Sequence, residues 1–278
     1  MREPGAAVIL RTHAGPVRLA ANLKWMFTEV GFEQRFDAAA RCGFTTVEFA
    51  SPYALPAARV RQLLDQSGLT LALINTPAGP AGSATVLGSA YAPGAVEEFR
   101  SGVRTAMEYA TALGAPTVHV MAGLCPPQTD PEFAFAQYLS NIAWAAEQAR
   151  GAGVRIALEP LNKRDQPHYG LRSMETAAAV ALAVDPATVG VLFDFFHAQV
   201  DGGNLIQRFQ QLREQVVHIQ IADNPGRAEP GTGEIAYERI FPAVASSGYS
   251  GWVGCEYGPR QGTEQGLDWI QAMERATT

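Results

Sequence analysis

The chain has 278 residues, 47 % of them hydrophobic and 17 % charged, with a formal net charge of -6. This composition excludes a disordered chain and suits one large buried core, long enough for a single α/β barrel. The acidic balance argues against nucleic acid as the main partner, because phosphate binding needs a positive footprint, and no apolar run reaches membrane-spanning length. Cys42, Cys125 and Cys255 are odd in number and widely spaced, with neither a disulfide framework nor a zinc spacing, which points to a reducing cytoplasm.

Residues 1–17 read as an N-terminal extension. Their one apolar patch, Ala6–Leu10, is flanked by Arg2 and Arg11 and is too short for the apolar region of a signal peptide. From residue 18 onward, short apolar runs alternate with longer helix-like segments. The predicted strands are Arg18–Leu23, Thr46–Phe49, Thr70–Ile74, Thr117–Met121, Val154–Leu158, Val189–Phe193, Val216–Ile221 and Gly251–Gly254. Helical patterns between them include Gly31–Cys42, Ala57–Ser67, Gly94–Leu113, Pro131–Gly151, Met174–Ala183 and Thr263–Ala276. Several end at a glycine, as left-handed C-caps require. The alternation predicts a parallel (β/α)8 TIM barrel, a single domain over residues 18–278. An open doubly wound sheet is the alternative, but no strand is followed by a G-x-G-x-x-G turn. The richest loops, Thr76–Pro93 and Leu161–Arg172, follow the third and fifth strands and so belong to the catalytic face of such a barrel.

Four oxygen-bearing side chains stand at or just past strand ends: Glu159, Asp194, Gln220 and Glu256, spaced by 35, 26 and 36 residues. Each interval is about one strand plus one helix, so a closed barrel brings all four to one rim. A lone acidic residue is usually a solvated charge or a helix cap. These follow runs that should be buried, where a carboxylate needs a partner. Three carboxylates and an amide in one place repel unless they hold a cation, and oxygen-only ligation points to Mg²⁺ or Mn²⁺ rather than zinc. Such an ion polarises a carbonyl and its neighbouring hydroxyl, and a glutamate on either side can shuttle a proton between adjacent carbons. That is the chemistry of an aldose–ketose isomerase or a sugar epimerase.

The stretches Ala20–Phe27, Phe193–Gln199, His218–Asp223 and Gly251–Arg260, the last followed by Thr263–Leu267, make the chain resemble the hydroxypyruvate isomerase family of the xylose isomerase-like barrels. The resemblance runs from about Leu19 to Ile270. It implies reversible isomerisation of hydroxypyruvate and 2-hydroxy-3-oxopropanoate (tartronate semialdehyde) through a metal-stabilised enediolate. It matches Glu159 and Glu256 to the two catalytic glutamates, and Glu159, Asp194, Gln220 and Glu256 to the metal positions. Related 3-epimerases usually carry His where Gln220 stands, which favours the isomerase branch. Isomerases of larger 2-oxo acids, such as 2-oxo-tetronate, share these motifs.

Further residues are candidates for substrate contacts, each with a structural alternative. His197, three beyond Asp194, is matched to a substrate-touching histidine; the alternative is a loop histidine satisfied by backbone. An anionic substrate calls for a cation at the rim, and Arg227, with Lys163 second and Arg164 competing, is the expected partner of its carboxylate. His119 is either a core histidine or a site residue. Asn22, Trp25, Phe27 and Asn75 hold strand-end positions, the aromatics as pocket walls or as packing. Glu48 is expected to face the rim as a supporting partner, His168 and Tyr169 to belong to a lid, and Cys255 to be buried and inert. The expected partner is a small 2-oxo acid or sugar, with homo-oligomerisation left open. Two other functions use such a barrel. A metal phosphodiesterase of the endonuclease IV type would want a histidine-rich cluster and a basic face, against five histidines and the acidic charge here. A catalytically silent sensor would not need both glutamates.

Overall fold

The computed structural model describes residues 8–277, so the first seven residues of the expected N-terminal extension lie outside the described residues. Eight parallel strands close into a barrel: β2 (Gly15–Asn22), β3 (Thr46–Phe49), β4 (Thr70–Asn75), β5 (Thr117–His119), β6 (Arg155–Leu158), β7 (Val189–Asp194), β8 (Val216–Ile221) and β9 (Val253–Cys255). Each pairs with the next, and β2 pairs with β9 to seal the ring. The predicted TIM barrel is therefore the observed one. Ahead of it, β1 (Ile9–Thr12) folds back antiparallel on the first half of β2, pairing Ile9 with Arg18 and Thr12 with Gly15. This hairpin sits at the N-terminal end of the barrel, where the His13 amide donates to the carbonyl of Thr277.

Helices α1 (Phe32–Arg41), α2 (Ala57–Ser67), α3 (Val96–Leu113), α4 (Pro131–Ala152) and α5 (Met174–Val184) connect the first six barrel strands. The caps are chemical. Asp130 accepts from the Phe133 amide with Pro131 opening α4, and Ser173 accepts from the Thr176 amide at the start of α5. Gly114 and Gly153 end α3 and α4 in the left-handed region, as the sequence predicts. Next come α6 (Phe195–Asp201), α7 (Leu205–Leu212) and α8 (Tyr237–Ser246). The predicted last helix is broken near Leu267 into α9 (Thr263–Gly266) and α10 (Asp268–Thr277). The predicted fourth strand stops at His119 rather than Met121, because the chain there swings out and Ala122 bridges to Gly88. Apolar residues from helices and strands merge into one continuous core between the helical ring and the barrel.

Candidate active site

The barrel interior carries a buried polar network. Glu48 on β3 has no exposed surface and accepts from Asn22 Nδ2 at 2.8 Å, Gln220 Nε2 at 2.7 Å and, on its other oxygen, pairs with His218 Nε2 at 2.6 Å. Strands β3 and β8 are not neighbours in the sheet, so these bonds cross the barrel interior. Gly254 on β9 makes room for them: a β-carbon there would overlap the Glu48 carboxylate. Glu48, expected at the rim as a supporting partner, is the floor of the site. Its bond to Gln220 Nε2 fixes the amide so that Oε1 is turned elsewhere, buried and without a hydrogen-bond partner.

Above this floor lie the three carboxylates. Asp194 ends β7 and caps α6, accepting from the Phe196 amide at 2.8 Å through Oδ1. The segment expected as a loop after the sixth strand is thus a short helix, and it carries His197. Among the described residues, the ligand atoms of Glu159, Asp194 and His197 lie within 4.8 Å of one another, a buried group that could hold a metal ion. His197 Nδ1 accepts from the backbone amide of Asn162 at 3.2 Å and faces its side-chain nitrogen at 2.7 Å. The ring proton is therefore on Nε2, which points toward Glu159 at 3.8 Å and Asp194 at 3.7 Å. A nitrogen that carries a proton donates; it does not ligate a metal. Burial pushes His197 down to about 3, so the ring is neutral at ordinary pH.

Glu159 is buried, with Oε2 at 3.4 Å from His119 Nδ1 and Oε1 without a hydrogen-bond partner among the described residues. Burial, then the charges of Glu256 and Asp194, push its carboxyl well above the ordinary range. Burial also raises Asp194 and Glu256, and Arg227 opposes both shifts. Glu159 Oε1 and Gln220 Oε1 are buried without a hydrogen-bond partner among the described residues, and Gln220 stands in register with Asp194 on the paired strand; oxygens of this kind fit a hard divalent cation. His119 is pushed down to about 3 by burial and is a neutral neighbour of Glu159.

Arg227 is delivered by the loop after β8. The buried carboxylate of Asp223 gathers the amides of Asn224, Gly231, Gly233 and Ile235 and so shapes that loop. Arg227 takes a positive φ of 50°, and its carbonyl accepts from the Gly258 amide. Its guanidinium lies between the rings of Trp25, at 4.7 Å, and Phe196, at 4.9 Å. It pairs with Glu256 and, at 3.4 Å, with Asp194. Burial works against its charge, but these carboxylates outweigh that and hold it protonated.

A cavity of about 240 Å³ opens over this group. Of the residues expected from sequence, Trp25, Asn75, His119, His197 and Arg227 line it together with Glu159 and Glu256. Asn22 lies just beneath, bonded to Glu48 and, at 3.3 Å, to Glu256 Oε1. Lys163 is exposed on the β6 loop and does not line the cavity; neither does Arg164, which is turned to Asp165 and Asn224. Phe27 packs on Phe44 instead. Tyr169 lines the cavity and accepts from the Ala122 amide, while His168 is exposed. Cys255 is buried, its thiol pushed up by burial. Two residues were not anticipated, Lys24 on the cavity wall and Asp223 behind the loop. The signal for Lys24 was its place two residues beyond a strand end; Asp223 had none beyond its polar loop.

A model of the xylose isomerase-like TIM barrel matches residues 36–273. A 2-oxo-tetronate isomerase of Cupriavidus necator is 42 % identical, covering 91 % of this chain and 97 % of that protein. A hydroxypyruvate isomerase of Escherichia coli is 38 % identical over 91 % of this chain and 98 % of its own length. A crystal structure from Brucella melitensis, described as an AP endonuclease of family 2, superposes with a TM-score of 0.88 at 38 % identity, covering 92 % of this chain and 98 % of that one. The chain belongs to the xylose isomerase-like TIM barrel family. The protein is an enzyme, an isomerase. Among the described residues, no helix is long and apolar enough to cross a membrane.

Proposed function

We propose that the protein interconverts a small 3-hydroxy-2-oxo acid and its carbonyl-shifted isomer, with hydroxypyruvate and 2-hydroxy-3-oxopropanoate as the first pair and 2-oxo-tetronate as the alternative. The observation that carries this reading is one small cavity lined by the buried Glu159 and the partly buried Glu256, with an unpartnered oxygen on Glu159 and a proton-bearing His197 Nε2 beside it. Glu159, Asp194, Gln220 and Glu256 would hold a divalent cation, Mg²⁺ or Mn²⁺. Bound there, it would supply positive charge where the substrate's carbonyl and hydroxyl oxygens gather negative charge.

The proton chemistry belongs to the protein. One glutamate takes the proton from C3 of hydroxypyruvate, the C2–C3 pair becomes an enediolate, and a proton is returned to C2. O3 loses its hydroxyl proton as the carbonyl forms there, and O2 gains one. His197 Nε2 donates to a substrate oxygen, which its held tautomer allows without a change of protonation. Arg227 holds Glu256 in place and opposes the effect of burial on its charge.

The decisive assay is a substrate panel followed by NMR in D2O, with and without a chelator: hydroxypyruvate, 2-oxo-tetronate, tagatose and fructose. Conversion of the 2-oxo acids, lost on chelation, is expected. Much faster turnover of the neutral ketoses would replace this reading with a 3-epimerase. The name of the Brucella structure favours one further reading, a metal phosphodiesterase. Against it stand the acidic net charge and the small number of histidines at the site. Cleavage of abasic-site DNA by the pure protein would revive it.

A further inference from the structure

A second cavity, of about 380 Å³, adjoins the reaction cavity, and Lys24, Asn75, Leu87 and Met121 line both. The two differ in charge. Glu159, Glu256 and Asp165 line the reaction cavity, whereas among the described residues no carboxylate lines its neighbour, whose charged residues are Lys24 and Arg35. The rest of the neighbour's wall is mostly apolar, with Phe32, Phe49 and Val86 among it. Arg35 is tied to the backbone, donating to the carbonyls of Leu23 and Val30.

The two cations of the reaction cavity are not equivalent. Arg227 is half-buried, clamped between two rings and paired with Glu256 and Asp194. A substrate carboxylate approaching it would compete with those two and lie among like charges. Lys24 is exposed, and its side chain makes no hydrogen bond or ion pair among the described residues, resting 5.8 Å over the Trp25 ring. Its charge still reaches Glu159 and Glu256. A lysine on a flexible stem with all three donors unengaged is suited to capture an incoming anion.

We propose that Lys24 binds the carboxylate of the substrate, and that the acid-free cavity beyond it is the carboxylate subsite. The acid then lies across the shared wall, its reacting carbons beside Glu159 and Glu256 and its carboxylate turned away from them. This rests on the 2-oxo acid reading, but it can be tested without turnover.

The probe is glycerate, which has no carbonyl to isomerise, against its neutral amide, glyceramide, titrated calorimetrically in Mg²⁺-containing buffer. The wild type should prefer glycerate, and Lys24→Met should erase roughly ten- to a hundredfold of that preference while leaving glyceramide unchanged. Lys24→Arg, which keeps the charge, should restore most of it. Lys163→Met removes a cation outside both cavities and should change nothing. No preference in the wild type, retained preference in Lys24→Met, or an equal loss in Lys163→Met would each overturn the proposal. In turnover, Lys24→Met should raise KM for hydroxypyruvate far more than it lowers kcat. A wild type that converts no 2-oxo acid at all would sink the proposed function, while the glycerate titration would still judge Lys24.

Discussion

Two buried glutamates stand a few residues from the same barrel rim, and their surroundings are opposite. Glu48, on the floor, is met by three donors from β2 and β8, and both of its oxygens are bonded. Glu159, at the rim, has one oxygen beside a neutral histidine and another with no partner. Buried carboxylates that serve the fold are satisfied by the fold; one left open is kept for something that arrives later. The floor also governs the rim. By holding Gln220 Nε2, Glu48 decides that the amide oxygen, not the nitrogen, is left without a bond.

The largest effect should come from the open carboxylate. Glu159→Gln keeps an oxygen and removes the base, so turnover should fall at least ~10³-fold, at the stronger end of proton-transfer catalysis. Its melting temperature should not fall, because the change removes a carboxyl that burial already disfavours in its charged form and whose oxygen is unpartnered. Calorimetry alongside the assay checks both, and a large loss of stability would erase the contrast with Glu48. For Glu48→Ala the order reverses. Three buried donors lose their acceptor, and breaking a buried pair of this kind costs roughly 3–5 kcal/mol, which is the loss expected in denaturant melts. With its amide no longer held, Gln220 should also present its oxygen less often, and Mg²⁺ titrations should show weaker binding. Unchanged melts and unchanged titrations would mean that the floor does not set the rim.

Gly254→Ala probes the same floor from β9, which lies between β2 and β8. A methyl there overlaps the Glu48 carboxylate, and overpacking of this kind costs about 1–3 kcal/mol. The cost should shrink when Glu48 is already alanine, which a double-mutant cycle measures. Additive losses would show that the two residues do not press on one another.

The rim was legible in the sequence because its four members share a grammar: an apolar run, then an oxygen ligand. Asp194 and Gln220 even sit in register on paired strands, as a common phase requires. The floor was not legible. Glu48 and His218 are 170 residues apart, and periodicity says which face a residue takes but not what crosses the barrel to meet it. Helix α6 was missed for a different reason: at seven residues it is too short for a 3.6-residue repeat to declare itself, leaving the Asp194 cap as its main signal. Arg227 could be named from its place near Gln220, but its clamp between Trp25 and Phe196 depends on a loop tied together by Asp223, and no pattern encodes that. Lys24 was hidden by its neighbours. In Asn22-Leu23-Lys24-Trp25, the amide and the indole read as the wall, and a lysine beyond a strand end reads as solvated.

A third kind of carboxylate calibrates the other two. Asp185, after α5, is partly exposed and paired with Arg150 at 2.6 Å, and its other oxygen accepts from the Ala187 amide. The Arg150 bond, helped by Thr188, pulls it down to about 2. Because the folded value lies below the ordinary one, its contribution is complete above about pH 3.8 and is lost as the pH falls toward 2. Water and salt screen such a surface pair, so Arg150→Ala should move the melting temperature at neutral pH only at the margin of detection, and less still in high salt. The difference between wild type and variant should vanish as Asp185 is protonated. A large stability loss in Arg150→Ala, comparable with Glu48→Ala, would show that partner count, and not burial, separates the carboxylates of this barrel.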